Sequence, residues 1–417
     1  MSFRIILSYY LKHELSSERC VRYTMRMEKK DNPALIFIYL TVFINIIGFG
    51  MVFPLLPYYA REFQASETVI GFLAASFAIG EFFFAPLWGR LSDRFGRKPI
   101  LQLSLLGISV AFFSFAIANT LTALFVSRFL QGVFAAGAFT CAAAYVADIT
   151  TKSGRIKGMS RLGASIATGF MFGPAIGGIL SSQSHQLPFF MAAILTIFNL
   201  VFVQLLLKES LKIKEEKLVL KEGFLNVKAM YKGLKGELGT LFVLIFLWSY
   251  ALSNNHVAIP LFGTEVLGVT AVLIGIFFSL QGLTSGSVQW FLLEKITQKF
   301  GEHKTIFLGL GLMAVSLFLL PFSPVSLMMA FLMMSFTFGS AVIRPTLQTL
   351  VSKQTHEGQG TTMGVAGAFE SSGRIFGPIF GGWLFSTFGF HAPFAVSAVL
   401  IFVALTFIAR IKNFFGS

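Results

Sequence analysis

The segment GFMFGPAIGG at residues 169–178 recurs as GRIFGPIFGG at residues 373–382, displaced by 204 positions. A weaker echo relates RFGRK at residues 94–98 to KFGEHK at residues 299–304, displaced by 205 positions. One such match could arise by chance, but two at nearly the same offset indicate an internal repeat of about half the chain. The sequence therefore predicts a duplicated structural unit.

Each copy of this unit consists mainly of long apolar segments. Hydrophobic residues make up 55% of the 417 residues and charged residues only 12%, whereas a soluble domain has about a quarter charged residues. A membrane-spanning helix needs about 20 predominantly apolar residues. Twelve segments meet this requirement: residues 35–60, 70–89, 99–118, 121–146, 160–180, 188–207, 241–262, 271–292, 304–321, 324–350, 361–386 and 391–410.

We therefore predict an all-α membrane protein with twelve transmembrane helices in two pseudo-symmetric six-helix bundles. A stretch rich in lysine and glutamate separates the two sets of six spans and predicts a solvated linker, with an amphipathic helix as an option. The predicted divisions are an N-terminal tail at residues 1–33, a bundle at 34–207, a linker at 208–240, a bundle at 241–411 and a tail at 412–417.

The first 26 residues differ from the rest, because their apolar patch is too short to span and no signal-peptide cleavage site follows it. We expect either a cytoplasmic tail or a stretch upstream of the true start at Met27.

The basic residues are distributed unevenly, and their positions predict the orientation. The formal net charge is +14, and lysines and arginines concentrate in alternate connections, after the second, fourth, eighth and tenth spans. This is the positive-inside pattern of membrane proteins, so nucleic acid is not needed to explain the charge. We predict a multi-pass protein of a bacterial cell membrane with both termini and the linker in the cytoplasm.

Catalytic motifs are missing from the sequence. It has no P-loop, no G-x-S-x-G nucleophile motif and no histidine–cysteine cluster with metal-ligand spacing. The two cysteines, Cys20 and Cys141, are far apart and match no disulfide or metal pattern. We therefore expect neither an enzyme nor a nucleotide-driven pump, and we expect no cofactor and no metal.

The loop GRLSDRFGRKP at residues 89–99 carries the first family resemblance. Its glycines permit a tight turn, and its aspartate and arginines can make charge-assisted hydrogen bonds at the membrane face. A basic loop that served only to orient the protein in the membrane would need neither these glycines nor the aspartate. The segment resembles the signature loop of the major facilitator superfamily. The resemblance extends over residues 32–411 and implies two halves that rock about a central cavity. It also implies a latch in which Asp93 lies near Arg374 and Asp148. The predicted latch comprises Gly89, Asp93, Arg94, Gly96, Arg97, Asp148 and Arg374.

SRFLQG at residues 127–132 is similar to the family's motif in the fourth span. Arg128 lies in an apolar run, where a charge costs at least ~2.5–3.5 kcal/mol. The resemblance implies a role in proton coupling. Two alternatives are that the side chain snorkels to the outer interface or that it tethers helices.

Two carboxylates, Glu81 and Glu370, lie well inside apolar runs, where burial favours the protonated form. Arg374 follows Glu370 by four residues, so an ion pair along one helix competes with proton coupling as the role of Glu370. Glu81 has no charged neighbour on its own helix and is the better candidate for binding a proton or a cation.

The segment at residues 169–178 also resembles the fifth-span motif of the antiporter branch of this family. Its proline interrupts the helical hydrogen bonds and its glycines remove bulk, which implies a hinge or a seal rather than a ligand site. The predicted hinge residues are Gly169, Gly173, Pro174, Gly177 and Gly178.

Three further segments, at residues 45–60, 145–150 and 343–347, resemble bacterial multidrug-efflux pumps driven by proton exchange. Some of these pumps have acids where this chain has Asn45, His256 and Ala341. A polar and aromatic group in the seventh span and phenylalanines elsewhere predict the substrate cavity. Its candidate residues are Asn45, Phe49, Phe53, Tyr250, Asn255, His256, Phe277 and Arg344.

The leading hypothesis is a monomeric, proton-coupled exporter of amphipathic, often cationic, small molecules. The alternatives are a nutrient or sugar symporter of the same fold and, from another class, a polytopic receptor or scaffold. The partners expected are the small molecule, protons and the lipid bilayer.

Overall fold

The computed structural model describes residues 33–151, 154–211, 227–235, 238–353 and 359–411. The predicted leader, the C-terminal tail and most of the predicted linker lie outside these ranges. The described elements are all helical. They are α1 (Pro33–Val52), α2 (Leu56–Glu62), α3 (Glu67–Phe95), α4 (Arg97–Ala116), α5 (Leu121–Ile149), α6 (Arg155–Ser181), α7 (Leu187–Leu206), α8 (Val227–Lys235), α9 (Gly239–Glu265), α10 (Ala271–Ser287), α11 (Leu293–Leu319), α12 (Ser326–Lys353), α13 (Gln359–Phe388) and α14 (His391–Ile411).

The helices account for the twelve predicted spans. By length and apolarity, ten helical segments of the described chain are long enough to cross a membrane. One of them, Ala271–Phe322, has 52 residues and a length of about 78 Å, enough for two crossings of a ~30 Å hydrocarbon core. Non-helical backbone at Gly301 (φ 76°) divides it, as the eighth and ninth predicted spans require. The eleventh span is α13, whose 30 residues also exceed the required length.

Local sequence explains where several helices begin and break. Ser66, Thr120 and Thr270 cap α3, α5 and α10, each accepting a hydrogen bond from the amide three residues later. The first predicted span is interrupted by a 3₁₀ turn at Phe53–Leu55, because Pro54 cannot donate a helical hydrogen bond. A short helix, α8, forms within the predicted linker and packs against α9 and α13.

The two sets of six spans pack in equivalent ways. The contacts of α1 with α6 and α7 correspond to those of α9 with α13 and α14. Three further contacts of the first half have equivalents in the second. The contact of α3 with α5 corresponds to that of α10 with α12, the contact of α4 with α5 to that of α11 with α12, and the contact of α4 with α7 to that of α11 with α14. The repeat seen in the sequence is therefore a repeat in tertiary structure, as expected for two equivalent six-helix bundles.

Two seams join the halves, and they too are equivalent. In one seam α6 packs on α10, and in the other α13 packs on α3. A Cβ atom added to Gly275 would lie 2.4 Å from the carbonyl oxygen of Pro174, and one added to Gly71 would lie 2.3 Å from that of Pro378. Both glycines and both prolines are separated by 204 residues, the offset of the sequence repeat. The two copies of the repeated motif thus form corresponding contacts with the opposite half.

Candidate functional site

The two halves contact each other at the end of the bundle where α2 meets α3, which we call the Arg61 end. Arg61 forms ion pairs with Glu67 of its own half and with Glu265 of the other half. The Tyr58 hydroxyl donates to the carbonyl oxygen of Val269, across the halves, at 3.1 Å. Together with the two seams, these contacts close the bundle at the Arg61 end.

The opposite end carries the predicted latch, and we call it the Asp93 end. Arg97 binds Asp93 at 2.6 Å and Asp148 at 3.0 Å, and its guanidinium also donates to Ser92 Oγ at 2.6 Å. These residues all belong to the first half. A Cβ atom added to Gly89 would lie 3.6 Å from the Thr140 side chain, and the Arg94 guanidinium lies over the Phe95 ring at 5.2 Å. The ionic contacts among the described latch residues at the Asp93 end therefore lie within one half.

Glu209 also belongs to this group, although no motif in the sequence pointed to it. Its carboxylate accepts hydrogen bonds from the backbone amides of Arg97 and Lys98 at 2.9 and 3.1 Å. These are free N–H groups at the start of α4, where a negative charge is favourable. The preceding Gly96 has φ 109°, which suits glycine, and leaves room for the carboxylate. The signal for Glu209 was an acid directly after an apolar span, 112 residues from the loop that it caps.

Arg374 is not part of the latch in this structure. It binds Glu81 at 2.7 Å, and Glu81 precedes Asp93 on α3 by twelve residues, or about 18 Å of helix.

The expected pair of Glu370 with Arg374 is also wrong, because Glu370 binds Arg344 of α12 at 3.0 Å. Each carboxylate thus takes an arginine from another helix, which the spacing within one helix could not reveal.

The Glu81–Arg374 pair joins the two halves. Glu81 lies on α3 and Arg374 on α13, and their side chains are 15% and 36% exposed. Arg374 also donates to Ser371 Oγ at 3.3 Å. The expectation that Glu81 has no charged neighbour holds for its own helix but not for the folded chain. The seam between α3 and α13 therefore contains an ion pair within the apolar part of the protein.

Arg128 is deeply buried, so it does not snorkel to an interface. Its residue exposure is 1%, and its Nη1 donates to Gln131 Oε1 at 2.5 Å. The guanidinium carbon lies 4.9 Å from the Phe77 ring centre and 5.5 Å from that of Phe49, which are cation–π distances. Its Nε is buried and has no hydrogen-bond partner within the described residues.

The rings beside Arg128 form a group that spans both halves, the central aromatic cluster, defined as Phe49, Phe53, Phe77, Phe170, His256 and Phe278. Phe49 and Phe53 stack at 5.4 Å. His256 meets the Phe53 ring edge-on at 4.8 Å, and Phe278 contacts both. Two predicted cavity residues, Phe53 and His256, are therefore in direct contact, and a third, Phe49, stacks on Phe53.

The other predicted cavity residues lie elsewhere. Phe278 makes ring contacts with the cluster, and the predicted residue Phe277 is its neighbour on α10 and is likewise buried. Tyr250 contacts Phe246 and Phe380 instead. Arg344 lines a small cavity of the second half together with Trp248 and Glu370. Asn45 and Asn255 are 8% and 2% exposed, and the side-chain atoms of Asn255 have no partner among the described groups.

The predicted hinge residues of α6 lie in close helix contacts. Added Cβ atoms on Gly169, Gly173 and Gly177 would meet Ile46, Ile47 and Met51 of α1, and one on Gly178 would meet Ala271 of α10. Pro174 lies inside a continuous helix and supplies the carbonyl of the α6–α10 seam. The geometry is therefore that of a tightly packed surface on two sides of α6.

Comparison with known proteins agrees with this architecture. The sequence model of the Major Facilitator Superfamily matches residues 38–293 and 241–413. Multidrug resistance protein 1 of Bacillus subtilis is 35% identical over 387 residues, covering 91% of this chain and 97% of that protein. The class C tetracycline resistance protein of Escherichia coli is 31% identical over 356 residues, covering 84% and 89%.

Among solved structures, a bacterial homologue of the human lysosomal transporter Spinster superposes with a TM-score of 0.75 at 15% identity. It covers 91% of this chain and 96% of that one. The fold and these relatives are those of multi-pass membrane transporters, not of enzymes. The chain therefore belongs to the major facilitator superfamily.

Proposed function

We propose that this transporter exports amphipathic small molecules from the cytoplasm in exchange for protons, by alternating access. The observation that carries the proposal is the Glu81–Arg374 ion pair, a titratable contact between the two halves at a seam that must open. The direction is supported by the relatives, which are named for resistance to multiple drugs and to tetracycline. We propose that the chain works as a monomer, because one chain contains both halves.

The orientation follows from charge. Lysines and arginines concentrate in the connections at the Asp93 end, which the positive-inside rule assigns to the cytoplasm along with both termini. The structure is then closed on the outside by the Arg61 end and the seams. The moving units are the two bundles, residues 34–207 and 241–411, joined by the linker at 208–240.

Proton binding at Glu81 would loosen the contact between the halves. The ionised carboxylate holds Arg374 across the α3–α13 seam at 2.7 Å, and protonation removes the charge that makes this a strong hydrogen bond. In the state that is open to the outside the seam is separated, and a proton from the outside binds to Glu81. Its departure to the cytoplasm restores the pair. Glu370 and Arg344 form a second pair that a cationic substrate or a proton could open in the same way.

The central aromatic cluster is the proposed substrate site. It lies where the 3₁₀ turn at Phe53–Leu55 meets α9 and α10, so both halves contribute rings. Stacked and edge-on rings accept planar apolar molecules without a fixed hydrogen-bond pattern, which suits a broad substrate range. Tyr250, Asn255 and Arg344, on the second half, would line the cavity in other stages of the cycle. The latch at the Asp93 end would close the cytoplasmic side when the halves tilt.

The proposal is tested by efflux from intact bacteria that overproduce the chain. Cells preloaded with ethidium should lose the dye faster than cells with the empty vector, and a protonophore should abolish the difference. A matched panel of growth inhibition by ethidium, tetracycline and a quinolone should show raised resistance. Unchanged efflux and resistance at a confirmed level of protein in the membrane would contradict export, and faster accumulation would indicate a symporter.

A further inference from the structure

Three arginines of the described chain, Arg128, Arg344 and Arg374, lie well inside the spans, and carboxylates pair with two of them. Arg374 is paired with Glu81 at 2.7 Å and Arg344 with Glu370 at 3.0 Å. Arg128 has no carboxylate within ion-pair distance among the described residues, although it is the most deeply buried of the three. A buried guanidinium without a counter-ion is costly in a membrane protein, and such groups mark functional sites.

The surroundings of Arg128 only partly compensate its charge. One guanidinium nitrogen donates to the neutral amide of Gln131, and the rings of Phe49 and Phe77 attract the cation through their π faces. The buried Nε has no hydrogen-bond partner in the described chain. The group therefore keeps an unused donor and an uncompensated positive charge beside the central aromatic cluster.

We infer that the transported molecule supplies the missing counter-ion: the site at Arg128 binds aromatic compounds that carry a carboxylate or a similar acidic group. Phe49 contacts the guanidinium on one side and stacks on Phe53 on the other, and Phe53 in turn meets His256. In the proposed complex the acidic group of such a compound lies against Arg128 and its rings lie against Phe53. The inference rests on the proposed function and extends it, from amphipathic molecules in general to aromatic acids.

Glu81 is the internal competitor for this role. It lies one helical turn from Phe77 on α3, the ring that contacts Arg128. In this structure its carboxylate is held by Arg374, so it is not available to Arg128. An acidic ligand is then the remaining source of negative charge when the Glu81–Arg374 pair is intact.

The test is equilibrium binding of a matched ligand pair to the purified full-length protein in lipid nanodiscs. The probes are nalidixic acid and its methyl ester, which share one ring system and differ in charge at neutral pH. We expect the wild-type protein to bind the acid at least tenfold more tightly. Arg128→Met should remove this preference and leave the affinity for the ester within twofold, whereas Arg128→Lys should retain part of it. Lys299→Met, which removes an exposed cation from the Phe300 ring, is the matched control and should keep the full preference.

Three results would overturn the inference. The wild-type protein could bind acid and ester equally, which needs no variant and is decisive even if Arg128→Met does not fold. Arg128→Met could weaken both ligands equally while remaining folded by thermal unfolding. A preference for the acid could arise only in Glu81→Gln, which would make Glu81 the natural counter-ion. In each case export of ethidium by the wild-type protein would show that the proposed function still stands.

Discussion

Replacing Gly71 with alanine tests whether the α3–α13 seam holds the two halves together. The added Cβ would lie 2.3 Å from the carbonyl oxygen of Pro378, and the limit below which neighbouring atoms must shift is 3.0 Å. The obstructing atom is backbone, so the strain is relieved by separating α3 from α13. Overpacking of this kind costs about 1–3 kcal/mol, which corresponds to a roughly 5- to 150-fold change in a conformational equilibrium. We expect that shift toward the state that is open at the Arg61 end.

The assay is the distance distribution between two spin labels, at Gln183 in the first half and Val266 in the second, both exposed near the Arg61 end. Gly71→Ala should add or enlarge a population at longer distance. Gly275→Ala, the equivalent substitution in the α6–α10 seam, should act in the same direction. Gly367→Ala is the matched control, because it lies on α13 with no atom within 4 Å of its added Cβ. Distributions for Gly71→Ala that match those of Gly367→Ala would refute the reasoning.

Two further predictions concern charged contacts at the ends of the bundle. Arg61→Ala should lengthen the same spin-label distances, but by less than Gly71→Ala, because a partly exposed ion pair contributes only about 0.2–1 kcal/mol. A larger shift than that of Gly71→Ala would mean that the ion pairs, not the seams, close this end. Glu209→Gln should lower the thermal unfolding temperature, because losing a charge at the start of a helix costs about 0.3–1 kcal/mol. An unfolding temperature of Glu209→Gln equal to that of the wild-type protein would contradict the capping role of Glu209.

The spans and the equivalence of the two halves were predictable, because both depend on patterns along the chain. An apolar run of about 20 residues identifies a membrane helix wherever it packs. The repeat at residues 169–178 and 373–382 likewise predicted two equivalent halves. Its partners, Gly71 and Gly275, were not recognised, since a glycine in an apolar helix gives no sign of which carbonyl approaches it.

The ion pairs were predicted less well, for a physical reason. Spacing along one helix identifies neighbours three or four residues apart, which favoured the pair of Glu370 with Arg374. The structure instead pairs each of these residues with a different helix, and that choice depends on how the helices are rotated and on which half they face. The same holds for Phe278, whose neighbour Phe277 was predicted, because the face that a membrane helix turns toward the centre is not visible in a uniformly apolar stretch.

The most direct measurement of proton-coupled export is proton movement in proteoliposomes that contain the purified chain and a preformed pH gradient. Adding ethidium should dissipate the gradient in wild-type proteoliposomes at a rate that depends on the drug. Glu81→Gln, which keeps the size of the side chain but cannot bind a proton as an acid, should abolish the proton movement and leave downhill ethidium exchange. Drug-dependent dissipation of the gradient by Glu81→Gln at the wild-type rate would contradict the mechanism, because proton coupling could not then depend on the contact between Glu81 and Arg374.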